Sequence, residues 1–283
     1  MADGEGRVGT ASGRDPQAAS RLRFIAYVAF LLLYGNAKAR LMDPSPAGSP
    51  EGVLAGLALV GLVGAWAFLL QLDAADLGVA LRDGRVVRPS LVAGILAGLF
   101  FSLFPIAAAA LRLVPADRPE TGLGWPLLLW RAIAYLPLDT ALPEELAFRG
   151  LLLAWLLRAG GLDPRGSLRS LLPTPRRPSP GTLALAVRGL PTGIAAWIRR
   201  PAIRAVLIGA VPFVFWHLQI AWSEMSEFRP VELAGKLAAY YAGGVLFGYL
   251  RAATGHLAGS IVAHWLFGAL AMLVVRLGGP GPS

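Results

Sequence analysis

Three short runs place groups capable of acid–base chemistry inside apolar surroundings. The first is Pro143-Glu144-Glu145-Leu-Ala-Phe-Arg149, followed by Gly150 and three leucines. The second is Phe213-Val-Phe-Trp-His217, and the third is Ala263-His264-Trp-Leu-Phe-Gly268. An ionisable group at membrane depth is costly, so each run is a candidate functional site. On a helix Glu145 and Arg149 lie four apart, share a face and can pair. Glu144 sits about 100° around from Glu145 and is better placed to face a cavity unpaired. Glu144, His217 and His264 could together activate a water against a carbonyl. They could equally hold a divalent metal such as zinc in a His₂Glu set. The residue types do not choose between the two.

Each candidate also has a purely structural reading. A Glu145–Arg149 pair can simply hold a helix in place, and an intramembrane histidine often bonds a neighbouring helix. His256 starts an apolar run about 80° away from His264, which fits an interfacial role better than a ligand role. Asp139, just before the Pro-Glu-Glu turn, is a weaker acidic candidate. Trp125, Trp130, Trp197 and Trp222 fit interface anchoring and need no site.

These residues must be carried by membrane helices. Apolar types make up 55% of the 283 residues and charged types only 15%, against roughly 25% charged in soluble domains. Mean hydropathy is +0.59. The expectation is an all-α, polytopic transmembrane bundle of seven or eight helices. Composition excludes intrinsic disorder of the whole chain. The absence of cysteine excludes a disulfide scaffold, thiol catalysis and Cys-ligated metal.

The apolar segments are 21–39, 53–72, 90–111, 125–157, 202–222, 231–250 and 257–275. Residues 1–20 form a polar arm expected to be disordered, leaving 21–283 as the membrane domain. The 33-residue run 125–157 is too long for one straight span, and Pro137 and Pro143 are expected to break or kink it. Residues 159–201 form one long basic insertion with only Asp163 opposing its arginines.

The formal charge of +9 is distributed as loops obeying the positive-inside rule rather than as a nucleic-acid footprint. That rule puts 1–20, 73–90, 159–201 and 251–255 in the cytoplasm of a multi-pass cell-membrane protein. With 125–157 as one broken span, there are seven crossings, N-terminus in and C-terminus out.

In order and membrane placement the three runs resemble the CPBP intramembrane proteases, which include the CAAX prenyl endopeptidases and the abortive-infection and bacteriocin-immunity proteins. The matching motifs are Glu144-Glu145-Leu-Ala-Phe-Arg149, Phe213-Val-Phe-Trp-His217 and His264-Trp-Leu-Phe-Gly268, and the similarity covers 120–275. The resemblance implies peptide-bond hydrolysis by a water activated at Glu144, with no acyl-enzyme. It implies His217 as helper, His264 as oxyanion stabiliser, and Glu145 and Arg149 shaping the site. It leaves metal dependence open, with Glu144, His217 and His264 as the implied ligands. The third motif departs from the family at Gly268, where a polar side chain is usual.

The leading expectation is therefore an intramembrane endopeptidase acting on a peptide or protein substrate near the cytoplasmic leaflet. Gly268 keeps a second class in view: a non-enzymatic immunity or accessory protein that binds a partner. An ion-coupled transporter is a third, disfavoured by the lack of an internal repeat.

Overall fold

The computed structural model describes residues 16–41, 49–80, 84–110, 124–165, 198–223 and 228–278. Among these the protein is all-helical, with eight helices and no strand. We label them α1 (Pro16–Leu41), α2 (Pro50–Leu69), α3 (Gly84–Ala110), α4 (125–159), α5 (Pro201–Trp216), α6 (Leu218–Ser223), α7 (Pro230–Thr254) and α8 (Ala258–Gly278). Each apolar segment of the sequence becomes a helix, because backbone polar groups in lipid must be satisfied within the segment. Four helical stretches, Ala18–Lys38, Pro50–Leu69, Val86–Ala107 and Ala258–Leu277, are long and apolar enough to cross a membrane. The expected polar arm overlaps the start of α1 at 16–20. Its remainder, and residues 166–197 of the basic insertion, lie outside the described residues.

Prolines mark several helix starts. Pro50, Pro126, Pro201 and Pro230 each occupy the first turn, where the missing N–H has no intrahelical partner to lose. The most extensive helix pairing joins α3 to α8. It is tight because a Cβ at Gly94 would overlap the Gly259 backbone. Small residues let membrane helices approach this closely.

The long run 125–159 is neither broken nor divided in two. It is one continuous helix with two widened π-type stretches, Arg131–Ala141 and Leu146–Leu152. Across the first, the Leu142 N–H reaches back five residues to the Pro137 carbonyl. Such a shift in hydrogen-bond register absorbs a proline that would otherwise kink the helix. Pro143 has no N–H to offer the carbonyl four residues back, that of Asp139. Lys38 Nζ on α1 takes its place, donating to Asp139 O at 3.1 Å. An outside donor thus compensates the lost bond.

One end of the bundle gathers the arginine-rich links. Arg23 near the start of α1 donates to Leu69 O at the end of α2 (2.9 Å). Arg158 at the end of α4 reaches Gln71 O (2.9 Å) and Asp76 (2.7 Å). Arg165 also bonds Asp76 (2.9 Å). Arg251 at the end of α7 donates to the Asp76 carbonyl (2.7 Å), and the Leu257 N–H to Gly78 O (2.8 Å). The start of α1, the 70–80 link, the end of α4 and the α7–α8 turn therefore share one end. Seven helices run between the two ends in alternation, with α6 a short piece after α5.

Asp76 is the centre of this clasp and is 2% exposed. Burial pushes its carboxyl up, but the Asp73 backbone N–H and the Arg165 and Arg158 guanidiniums outweigh that and hold it below the usual range. A depressed folded value means that Asp76 stabilises the fold fully above the ordinary carboxylate range. The contribution is lost as pH falls through the folded value. Melting temperature in detergent should therefore drop on acidification below about pH 4. Asp76→Asn should flatten that step and cost about 1–3 kcal/mol at neutral pH; an unchanged acid step in the variant would contradict this role.

The arginine bias predicts that the clasp end is cytoplasmic. The chain has no cysteine, so single cysteines report topology cleanly. A membrane-impermeant maleimide should label Phe228→Cys in intact cells and Asp163→Cys only after permeabilisation. The reverse pattern would invert the orientation.

Candidate functional site

The site forms where α4, α5 and α8 meet, with α7 closing one side. On α4, Glu145 is fully buried and Glu144 is 4% exposed. Glu145 Oε1 accepts Arg149 Nη1 at 3.0 Å and His264 Nδ1 at 2.9 Å. One carboxylate oxygen thus ties α4 to α8. The spacing-based expectation of a Glu145–Arg149 pair holds, and the pair gains a histidine from 119 residues away. The guanidinium of Arg149 also stacks over the Phe213 ring, 4.0 Å from its centroid. An aromatic face attracts a desolvated cation.

Glu144 points to α5. Its Oε1 accepts the Trp216 indole N–H at 3.2 Å. Its Oε2 lies 3.6 Å from His217 Nε2, too far for a hydrogen bond, and has no hydrogen-bond partner among the described residues. His217 Nδ1 is 2.9 Å from the Phe213 carbonyl. A carbonyl only accepts, so Nδ1 carries the proton. In the neutral ring, Nε2 then offers a lone pair toward Oε2, and two acceptors face one another across the gap. His217 is held by Tyr240 of α7, stacked at 4.3 Å, and His264 by Phe247, stacked at 5.1 Å.

The structure thus brings Glu144, Glu145, Arg149, His217 and His264 into one buried cluster, arranged as two linked sets. Two carboxylates against one guanidinium leave an excess negative charge. One further proton, on an imidazole or on Glu144, brings the cluster to neutrality. An uncompensated charge in a membrane interior is strongly disfavoured.

A metal bound by Glu144, His217 and His264 would need three donors aimed at one point. Glu144 Oε2 and His217 Nε2 face one another, and His264, with Nδ1 on Glu145, has only Nε2 left to offer. Among the described residues no group of three His, Cys, Asp or Glu side chains is placed to hold a metal ion. The chemistry derived below therefore passes through no metal step.

The other candidates lie elsewhere. His256 sits in the α7–α8 turn, where its Nδ1 accepts the Ala258 N–H at 3.0 Å and caps α8. Asp139 is paired with Lys38 at 2.7 Å. At Gly268 a Cβ would fall 2.7 Å from Leu136 Cδ2, so α4 fills the space that a family-type polar side chain would take. Glu144 lies near mid-bundle, roughly 22 Å along α4 from its arginine-rich end at 1.5 Å per residue. Sequence reasoning passed over Trp216 and Lys38. An indole N–H in an apolar helix needs an acceptor, and that signal was available at Trp216. Nothing local named the partner of Lys38.

An apolar helical bundle with a buried glutamate pair, a guanidinium and two imidazoles defines a polytopic membrane protein with a buried polar centre. The chain belongs to the Rce1-like family, described as type II CAAX prenyl endopeptidase Rce1-like, whose model matches residues 124–270. Membership gives the chain a protease-type function in general. No curated protein and no solved structure matches it. All three motifs fall inside the match, while α1, α2 and α3 lie outside it.

Because Glu145 is buried against Arg149, Glu145→Gln should strand the guanidinium and destabilise by about 3–5 kcal/mol. Adding Arg149→Met should recover part of that loss. Thermal unfolding of the two variants in detergent measures both, and equal stability of the single variant and wild type would contradict the assignment.

Proposed function

We propose that the chain is an intramembrane endopeptidase that hydrolyses a peptide bond with a water activated at Glu144. The observation that carries this reading is the opposition of Glu144 Oε2 and His217 Nε2 at 3.6 Å. A water placed against both acceptors gives one hydrogen to each and keeps a lone pair free for attack.

The water oxygen adds to the carbonyl carbon while its proton passes to Glu144 Oε2. His264, whose Nδ1 is anchored by Glu145, would stabilise the oxyanion of the tetrahedral intermediate in its doubly protonated form. That form supplies the proton which neutralises the cluster. Collapse breaks the C–N bond, and Glu144 returns its proton to the departing nitrogen. The products are a carboxylic acid, which gives up its proton to water on release, and a free amine, with no acyl-enzyme. Arg149 balances Glu145 and keeps both anchors fixed.

The substrate class is a peptide or protein segment at the bilayer. The cell membrane is the site of action, with the arginine-rich end in the cytoplasm. A second reading rests on Gly268 and its contact with Leu136: a family relative that binds a peptide as an immunity or accessory factor without cutting it.

The test compares new N-termini in membranes of cells carrying wild type or Glu144→Gln. Termini present with wild type should fall by on the order of 10²–10⁴-fold in the variant, while the protein stays inserted. Cleavage in H₂¹⁸O should place one heavy oxygen in the new carboxylate. Cleavage undiminished by Glu144→Gln would sink the assignment, and a cellular phenotype that survives the substitution would favour the binding role.

A further inference from the structure

Two contacts from α1 converge on the stretch of α4 that carries Glu144. The first runs through Trp216. Its indole N–H is hydrogen-bonded to Glu144 Oε1 at 3.2 Å, and the residue is 3% exposed. Its ring is clamped between Tyr34 on α1, stacked at 5.9 Å and 17°, and Phe148 on α4, edge-on at 5.5 Å. Gly35 makes the seat. A Cβ there would come within 2.5 Å of Trp216 Cδ2, so any larger residue at 35 drives the indole off its position. The second contact is one turn further along the same face of α1. Lys38 Nζ donates to both Asp139 Oδ1 (2.7 Å) and Asp139 O (3.1 Å), a carbonyl to which Pro143, four residues on, has no N–H to offer.

We infer that Trp216 is a positioning residue for Glu144, seated on the 34–38 turn of α1, so that a helix outside the family-matched region holds the base in place. The inference rests on Glu144 being that base. A carboxylate with two equivalent oxygens can present either one. A fixed N–H on Oε1 removes that freedom and leaves Oε2, the oxygen facing His217, to take the proton. Lys38 fixes the backbone one turn earlier, which sets where the Glu144 side chain begins.

Trp216→Phe keeps an aromatic ring in the seat and removes only the N–H. With the full chain in lipid nanodiscs, and a reporter peptide whose cleavage Glu144→Gln abolishes, kcat should fall by about 10- to 10²-fold. KM should stay within about twofold. Lys38→Met should lower kcat in the same sense with KM unchanged. Arg23→Gln supplies the structural control, since it loosens α1 at the far end without touching the site; kcat should be unchanged. A wild-type kcat for Trp216→Phe, with Glu144→Gln inactive, would overturn the inference alone. So would an equal loss with Arg23→Gln. An active Glu144→Gln would instead remove the base assignment itself. A readout independent of cleavage is the ultraviolet resonance Raman signature of the Trp216 N–H, assigned by difference against Trp216→Phe. It should weaken in Glu144→Leu, and no change would overturn the inference.

Discussion

One carboxylate oxygen, Glu145 Oε1, holds the polar centre together. It accepts from Arg149 on its own helix and from His264 on α8, in surroundings where neither charge could stand alone. Everything around it follows from that constraint. Phe213 and Phe247 offer ring faces to the guanidinium at 4.0 and 5.4 Å. The same two rings also pack against the imidazoles, Phe213 edge-on to His217 and Phe247 stacked on His264. Aromatic walls exclude lipid and water while still interacting favourably with a cation. With Glu145 committed to structure, Glu144 keeps one carboxylate oxygen, Oε2, without a hydrogen-bond partner among the described residues.

The helix carrying both carboxylates is itself unusual. Two interior prolines and two π-type stretches lie within α4, and it still runs unbroken from 125 to 159. π-type turns cost hydrogen-bond geometry and cluster at functional sites. Here they flank the short Leu142–Glu145 segment that presents the glutamates. The carbonyl freed by Pro143 is taken up by Lys38, so the irregularity of one helix is stabilised by another. This division of labour explains why α1, outside the family-matched region, packs so intimately against the site through Gly35, Tyr34 and Lys38.

The two ends of the bundle serve different purposes. At the arginine-rich end, Asp76 draws together the end of α4, the α7–α8 turn and the 70–80 link. That clasp fixes helix order and height without entering the chemistry. His256 belongs to it as a helix cap. The polar cluster sits deeper, near mid-bundle. Of the most lipid-like spans, α2, α3 and α8, α8 carries His264 into the cluster, while α2 and α3 pack against the helices that hold it.

Much of this was legible in the sequence. Long apolar runs can only be helices in lipid, so the all-helical bundle and the positions of its segments followed from hydropathy. The Glu145–Arg149 pair followed from a spacing of four on one helix, a local property. Burial of charged and imidazole groups marked the three motif runs. Sequence alone could not place His264 on Glu145 rather than Glu144, since that contact spans 119 residues and depends on how α8 is set against α3 and α4. Nor could it find Lys38 as the partner of Asp139, 101 residues away, or show that α4 passes its prolines unbroken, because a donor from another helix makes that possible. Periodicity and composition fix what each segment is. Which atoms meet is decided by close packing between helices, where a glycine at 35 or 94 sets an approach that no local pattern encodes.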